Sequence, residues 1–126
     1  MPDRFCKPPP TSGFGNANPD DLEREILIAE VFDRIIGFVD VRIRLFRATH
    51  KTLERRIGLV TELVVSKPHR HRGGAGRNLM NAAAAWVRER KCHTIELNVF
   101  EFNLSALALY EVLGYRTISR RLEIRL

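Results

Sequence analysis

A stretch rich in glycine and arginine is the feature of this sequence that most clearly suggests a binding site. Residues 70 to 80 read RHRGGAGRNLM, between a strand-like run and a helix-like run. A glycine-rich turn that opens a helix presents several backbone N–H groups where the helix macrodipole also favours negative charge. This predicts a phosphate site. The stretch contains neither GxxxxGK followed by Ser or Thr nor GxGxxG, so it matches neither common nucleotide fingerprint.

The same glycines have a simpler interpretation. A tight connection from strand to helix can use glycine only for its freedom to adopt positive φ. The loop by itself therefore leaves phosphate binding and simple turning open, and the elements around it have to decide between them.

The residues before the loop have the pattern of strands. Residues 26–32 and 35–46 are apolar or alternating runs separated by Asp33 and Arg34, which predicts an antiparallel hairpin. Residues 57–66, IGLVTELVVS, predict a third strand, in which Glu62 is a lone acid among apolar residues.

Helices and strands alternate after the loop. Residues 79–91 are rich in alanine and predict a helix, and residues 93–100 alternate as a strand does. A second helix is expected from Asn103 as its N-cap to Gly114 as its C′ residue, followed by a strand over 115–126. A strand, loop, helix and strand form a crossover unit, which joins parallel strands. The predicted fold is mixed α/β, with a mostly antiparallel central sheet and a parallel pair around the first helix.

Length and composition indicate one folded unit. Residues 1–25 are rich in proline and glycine and predict an extended or mobile arm, and residues 26–126 predict the folded domain. The formal net charge is +6, which attracts anionic partners. No apolar stretch has the length of a membrane span, and Cys6 and Cys92 form no disulfide framework. We expect a cytoplasmic protein with no membrane partner.

Two motifs resemble those of the GNAT superfamily of N-acetyltransferases. In its acetyl-CoA loop, Gln or Arg is followed after two residues by Gly and, one residue later, by Gly or Ala. Arg70, Gly73 and Ala75 satisfy this pattern, and counting back from the helix gives His71, Gly74 and Gly76 instead. Both registers stay open. The second motif of the family is matched, in order along the chain, by Asn103, Ala106, Tyr110, Gly114 and Tyr115.

The resemblance implies where acetyl-CoA binds. In this family the co-substrate lies in a V-shaped split between the strand before the loop and the strand after the first helix. The pantetheine arm is then expected to pair with the backbone of Leu63, Val64 and Val65. The diphosphate is expected among the loop residues, which are Arg70, His71, Arg72, Gly73, Gly74, Ala75, Gly76 and Arg77.

The resemblance also assigns catalytic roles. Glu62 is at the place of the general base that deprotonates the acceptor amine, and Glu96 and Glu101 are weaker substitutes. Tyr110 matches the general acid that protonates the departing thiolate, and Asn103 matches the residue that hydrogen-bonds pantetheine. Each has a structural alternative, since Glu62 could be an exposed strand residue, Tyr110 a core residue and Asn103 only a helix cap. His69 and His71 lack further ligands nearby in sequence, so no metal is expected.

The predicted function is transfer of acetyl from acetyl-CoA to a primary amine of a small molecule or a protein. A non-catalytic acyl-CoA-binding protein and a basic module associated with RNA or the ribosome are the alternatives, although we do not expect a nucleic-acid partner. Members of the family usually begin with a strand and two helices that wall the acceptor site. The proline-rich arm stands in their place here, and the apolar surface left bare predicts a homodimer.

Overall fold

The computed structural model describes residues 4–6, 18–70 and 74–126, and of residues 4–6 only the backbone. The elements of these segments, in chain order, are β1 (Arg4–Cys6), β2 (Asp21–Val31), β3 (Arg34–Phe46), β4 (Arg55–Val65), α1 (Ala75–Glu89), β5 (Ile95–Leu97) and α2 (Leu104–Val112).

The strands form a sheet in the order β1-β2-β3-β4-β5. Neighbouring strands from β1 to β4 are antiparallel. β4 and β5, which α1 connects along the chain, are parallel. This confirms the predicted mixed sheet and its crossover unit. The β2–β3 turn lies at Phe32 and Asp33, one residue earlier than predicted, and both have positive φ, at 50° and 63°.

The N-terminal region contributes more to the sheet than the sequence suggested. Residues 4–6 of the predicted arm pair with β2, with Arg4 opposite Glu30. The predicted boundary between residues 25 and 26 falls inside β2, which begins at Asp21. The start of β2 was missed because residues 21–25 are mostly charged, and strand prediction looks for apolar alternation. Asp21 and Arg24 instead find charged partners on β3, and Glu23 pairs with Arg90 after α1.

The hydrophobic core lies between α1 and one face of the sheet. Leu79 and Ala83 of α1 are fully buried with Val39 and Val41 of β3. A Cβ atom at Gly58 would lie 2.4 Å from Cγ2 of Val87, so glycine is what lets α1 approach β4 this closely. The predicted helix is confirmed and begins four residues earlier, at Ala75.

A network of ion pairs crosses β2 and β3. The Asp40 carboxylate accepts hydrogen bonds from Arg24, at 2.7 Å to its Nη2, and from Arg42. Asp21 accepts from Arg42 and from Arg44, at 2.9 and 2.6 Å. Asp40 and Arg42 are only 4% and 6% exposed. Burial alone would raise the pKa of Asp40, but the bonds from Arg24 and Arg42 outweigh it and hold this pKa below its ordinary value.

The predicted C-terminal strand was wrong. Residues 115–126 contain no strand, and from Arg116 onward every residue is exposed. Alternation along a chain makes a strand only where a neighbouring strand offers its backbone groups. The adjacent sheet edge is β5, which is three residues long.

Within the described segments, neither α1 nor α2 is long and apolar enough to cross a membrane.

Candidate active site

The sheet opens between β4 and β5. The two strands pair only from Gly58 to Val60 against Ile95 to Leu97. Directly after Val60, β4 has an irregularity against β3: Val41 lies opposite Val60 and Asp40 lies opposite Glu62, so Thr61 is the extra residue of a β-bulge. A bulge bends the strand that carries it and increases its twist. Pairing between β4 and β5 ends at this point, and the predicted V-shaped split is confirmed.

A cleft of about 540 Å³ occupies the split. One wall is the end of β4, the second is the segment after β5 with the first turns of α2, and the start of α1 closes one end. Its lining residues are Thr61, Glu62, Leu63, Val64, Val65, Arg70, Gly74, Ala75, Gly76, Arg77, Asn98, Val99, Phe100, Asn103, Ser105, Ala106, Leu109 and Tyr110. The fold thus brings the sequence-predicted residues that the structure describes into one cavity.

The start of α1 presents backbone N–H groups to this cleft. Gly74 is the N-cap and has φ of 70°, and a Cβ atom added there would meet nothing within 4 Å. The amide of Asn78 donates to the Gly74 carbonyl at 2.8 Å. Ala75 and Gly76 therefore belong to the first turn, whose N–H groups have no acceptor within a helix. Their amides are suited to an anion.

Gly76 has a different reason to be glycine. A Cβ atom there would lie 3.2 Å from Cδ2 of Leu109 and 3.9 Å from Cγ2 of Val65. The start of α1 is thus packed closely against both α2 and β4. Gly74 thus serves the turn, and Gly76 serves the close approach of α1 to α2. Both also line the cleft, so phosphate binding remains the prediction for the loop.

Arg70 and Arg77 bring positive charge to the same end of the cleft. Both side chains are exposed, and Nε of Arg70 donates to the Val65 carbonyl at 2.9 Å. This bond uses one nitrogen of the guanidinium, which has further N–H groups for a phosphate. His71, Arg72 and Gly73 lie outside the described residues, so the choice between the two loop registers stays a prediction.

The free edge of β4 offers backbone groups along the cleft. The amide of Ser66 donates to the Ile36 carbonyl on β3 at 2.7 Å. Because alternate residues of a strand turn their N–H and C=O groups to opposite edges, those of Leu63 and Val65 face the cleft. The backbone of Val64 faces β3, whereas its side chain is 43% exposed and lines the cleft. Leu63 is thus the residue with both backbone groups available for an added extended chain.

Glu62 and Tyr110 line the same cleft from opposite walls. Glu62 follows the bulge and is exposed. Tyr110 is 9% exposed and its ring packs edge-on against Tyr115, with ring centroids 5.7 Å apart. Burial raises the pKa of Tyr110, so its hydroxyl keeps its proton at neutral pH. One wall therefore carries a carboxylate and the other a protonated hydroxyl.

Asn103 begins α2 beside the cleft. Its Oδ1 accepts from the amide of Ala106 at 3.3 Å, so the predicted N-cap is confirmed. Gly114 follows the last turn with φ of 94°, as expected of a C′ residue.

The weaker acid candidates lie elsewhere. Glu96 forms an ion pair with Arg55 at 3.3 Å and does not line the cleft, and neither does Glu101. His69 shares a hydrogen bond of 2.9 Å with Ser66. Across the described segments, no three His, Cys, Asp or Glu residues are grouped as metal ligands.

Sequence reasoning missed part of the lining. Asn98, Val99 and Phe100 follow β5, and Ser105, Ala106 and Leu109 come from α2. The α2 residues were accessible to prediction, because Ala106 and Tyr110 share a helix face with Asn103 through the spacing of three to four residues. Phe100 carried no such signal, since its contact with the cleft depends on where β5 leaves β4.

A split mixed sheet with a helix N-terminus at one end of the cleft and a buried tyrosine on its wall is what the resemblance to N-acetyltransferases predicted. The comparison with protein families agrees: the model of the Acetyltransferase (GNAT) family matches residues 3–115. The chain belongs to this family.

Similar proteins support the assignment. The chain is 36% identical over 74 residues to N-alpha-acetyltransferase 30 of Dictyostelium discoideum, a match that covers 59% of this chain and 38% of that relative. The chain thus matches well under half the length of this curated relative. Its fold is similar to that of the mutant F44R BH1408 protein of Bacillus halodurans, with a TM-score of 0.79, 24% identity, and coverage of 83% and 67% of the two chains.

Another structure of similar fold is an aminoglycoside N-acetyltransferase, AAC(6')-Iy, in complex with CoA. Its TM-score is 0.69 at 19% identity, with 82% of this chain and 75% of that chain covered. At this identity the likeness is one of fold alone.

Proposed function

We propose that this protein binds acetyl-CoA in the cleft between β4 and β5 and transfers its acetyl group to a primary amine. The observation that carries the proposal is the convergence, in one cavity of about 540 Å³, of the first turn of α1, the free edge of β4, Glu62 and Tyr110. Family membership and the CoA complex of a protein of similar fold support it.

The donor set of the cleft fits acetyl-CoA. The first-turn amides of Ala75 and Gly76, with Arg70 and Arg77 nearby, suit the diphosphate, because they combine oriented N–H groups with guanidinium charge. The N–H and C=O of Leu63 suit the amides of the pantetheine arm, which would add to β4 like a strand. Asn103 lies on the facing wall, where its side-chain amide can contact the same arm.

The residues of the chain then perform two proton transfers. Acetyl-CoA supplies an activated carbonyl and a thiolate leaving group. Glu62 takes a proton from the acceptor ammonium, directly or through water, because an alkylammonium cannot act as a nucleophile. The C–N bond forms, the C–S bond breaks, and Tyr110 gives its proton to the sulfur. The newly acylated nitrogen loses its second proton, which returns through water to the Tyr110 oxygen, and Glu62 releases its own proton to solvent. The products are an N-acetylated amine and CoA.

The proposal also concerns the chemical class of the acceptor amine. The name of the Dictyostelium relative points to an α-amine of a polypeptide, and a small primary amine is the second class to test. We propose also that the protein acts in the cytoplasm and forms a homodimer.

Two measurements, made one after the other, test the proposed function. Calorimetry with acetyl-CoA tests the cleft, and we expect saturable binding that is lost with S-acetylpantetheine, which lacks the diphosphate. Release of CoA thiol in the presence of a panel of primary amines then separates an enzyme from a binding protein. Binding without amine-dependent thiol release would make the chain a non-catalytic acyl-CoA-binding protein.

A further inference from the structure

Phe100 and Phe102, in the segment between β5 and α2, have solvent-exposed side chains. The rings of Phe100 and Phe102 are stacked, with centroids 5.2 Å apart and an interplanar angle of 11°. They are nevertheless 73% and 80% exposed, so each contacts the other and little else. Burying a phenylalanine side chain is worth roughly 1.5–3 kcal/mol, and this pair forgoes most of that in the free chain. An exposed apolar surface of this kind marks a binding site.

The pair is continuous with the cleft. Phe100 lines the cavity together with Glu62 and Val64 of the opposite wall. Val99 packs against the hydrophobic core, whereas the side chain of its neighbour Phe100 remains exposed at the cleft. Glu62, Val64 and Phe100 thus border one opening, and Phe102 extends this apolar surface by stacking on Phe100.

The charges of the cleft indicate which ligand meets the rings. Arg70 and Arg77 gather at the α1 end, which suits the phosphates of the co-substrate. Glu62 is the acidic residue among those that line the cleft, and it attracts a cationic amino group. When the ammonium of an acceptor lies near Glu62, the group attached to it lies in the same opening as Phe100. The rings offer no hydrogen-bond acceptor of ordinary strength, so they favour an apolar group over a polar one.

We propose that Phe100 and Phe102 are specificity-determining residues that bind the acceptor, and that they select primary amines with an aromatic or aliphatic group close to the amino group. This inference rests on the proposed acetyl transfer and names the substrate class. A peptide with an apolar first residue and a small arylalkylamine share this chemistry, and the experiment includes both.

The test compares matched acceptors by CoA thiol release. Phenethylamine is paired with ethanolamine, and a tetrapeptide beginning with Phe is paired with the same peptide beginning with Ser. We expect kcat/KM of the wild type to favour the apolar member of at least one pair by tenfold or more, as contacts with one apolar group allow. The pair that shows the larger preference identifies the source of the acceptor.

The double variant Phe100→Ala/Phe102→Ala should bring this preference close to one, mainly by raising KM for the apolar acceptor. Leu at both positions should restore part of it, because leucine keeps apolar area without the ring stack. Phe32→Ala is the matched control: Phe32 is 80% exposed like Phe102, but it lies in the β2–β3 turn and does not line the cleft. Its preference should equal that of the wild type.

Several outcomes would overturn the inference. A wild-type preference near one, or a preference that survives the double variant, removes the assigned role. A double variant that changes the molecular mass in light scattering and leaves the acceptor preference intact would place the rings in a subunit interface. No thiol release with any acceptor would instead refute the proposed function. In that case saturation-transfer NMR measures whether phenethylamine binds to the wild type and to the double variant. Equal binding to both would show that the two rings are not a binding surface.

Discussion

Asp40 and Glu62 lie directly opposite each other on β3 and β4, at the bulge where the sheet opens. Cross-strand partners project from the same face, so two carboxylates are neighbours there. Their surroundings differ: Asp40 is 4% exposed and bound by Arg24 and Arg42, whereas Glu62 is exposed at the cleft. Arg24 and Arg42 compensate the charge of Asp40, so the exposed Glu62 is the carboxyl group available to an acceptor amine.

The Asp40 network should stabilise the fold. Asp40→Asn removes the charge that Arg24 and Arg42 bind, and we expect a loss of about 2 kcal/mol in the free energy of unfolding, since the buried charged groups lose a partner. Urea denaturation at pH 7 measures it. Glu89→Gln is the control, because the Glu89 side chain is 75% exposed and its ion pair with Arg90 is long, at 3.7 Å.

The same network sets a pH dependence. Because the pKa of Asp40 lies below its ordinary value of 3.8 in the folded state, its stabilisation is complete above that value and is lost as the pH falls through the lower, folded pKa. Wild-type stability should therefore fall more steeply below pH 4 than that of Asp40→Asn. Parallel acid-denaturation curves would contradict this.

Tyr110 is expected to act as the general acid. Tyr110→Phe should lower kcat by roughly a hundredfold or more and leave the affinity for acetyl-CoA nearly unchanged, because the ring stays and only the proton donor is lost. Steady-state kinetics with calorimetry separates the two effects. Tyr115→Phe is the matched control, since Tyr115 contacts the Tyr110 ring but does not line the cleft. Unchanged turnover in Tyr110→Phe would make the residue a core tyrosine.

Asn103 has two roles that substitution can separate. Asn103→Ala should cost about 1 kcal/mol of stability, because the N-cap of α2 is lost, and should also weaken acetyl-CoA binding. Asn103→Ser keeps a cap and should recover the stability without the affinity. Thermal unfolding and calorimetry on both variants provide the comparison, and full recovery of affinity by Ser would leave Asn103 with the cap alone.

Gly74 tests the conformation of the turn. Its φ of 70° is unfavourable for a residue with a Cβ atom, so Gly74→Ala should destabilise the fold by about 1 kcal/mol and weaken acetyl-CoA binding. Gly74→Asn should be milder, because asparagine tolerates this conformation. Equal effects of Ala and Asn would show that the backbone conformation is not the cause.

The sequence determined much of the fold, because its signals are local. Alternation defined the β2–β3 hairpin and most of β4, helical spacing and alanine content defined α1, and Asn103 and Gly114 marked the ends of α2. Each of these features depends on residues close together in sequence. The cleft between β4 and β5 was predicted through the family resemblance that the glycine-rich turn and the second motif carry.

The remaining features depend on contacts in the folded chain, because a local pattern does not specify which distant segments pair. The bulge at Thr61, which opens the cleft, exists only in relation to β3. Charged residues 21–25 join the sheet because Asp21 and Arg24 find arginine and aspartate partners on β3. The alternating residues 115–126 form no strand, since a strand needs a neighbour as well as a pattern. Phe100 lines the cleft because it follows the point where β5 stops pairing with β4, and no local pattern predicts that point.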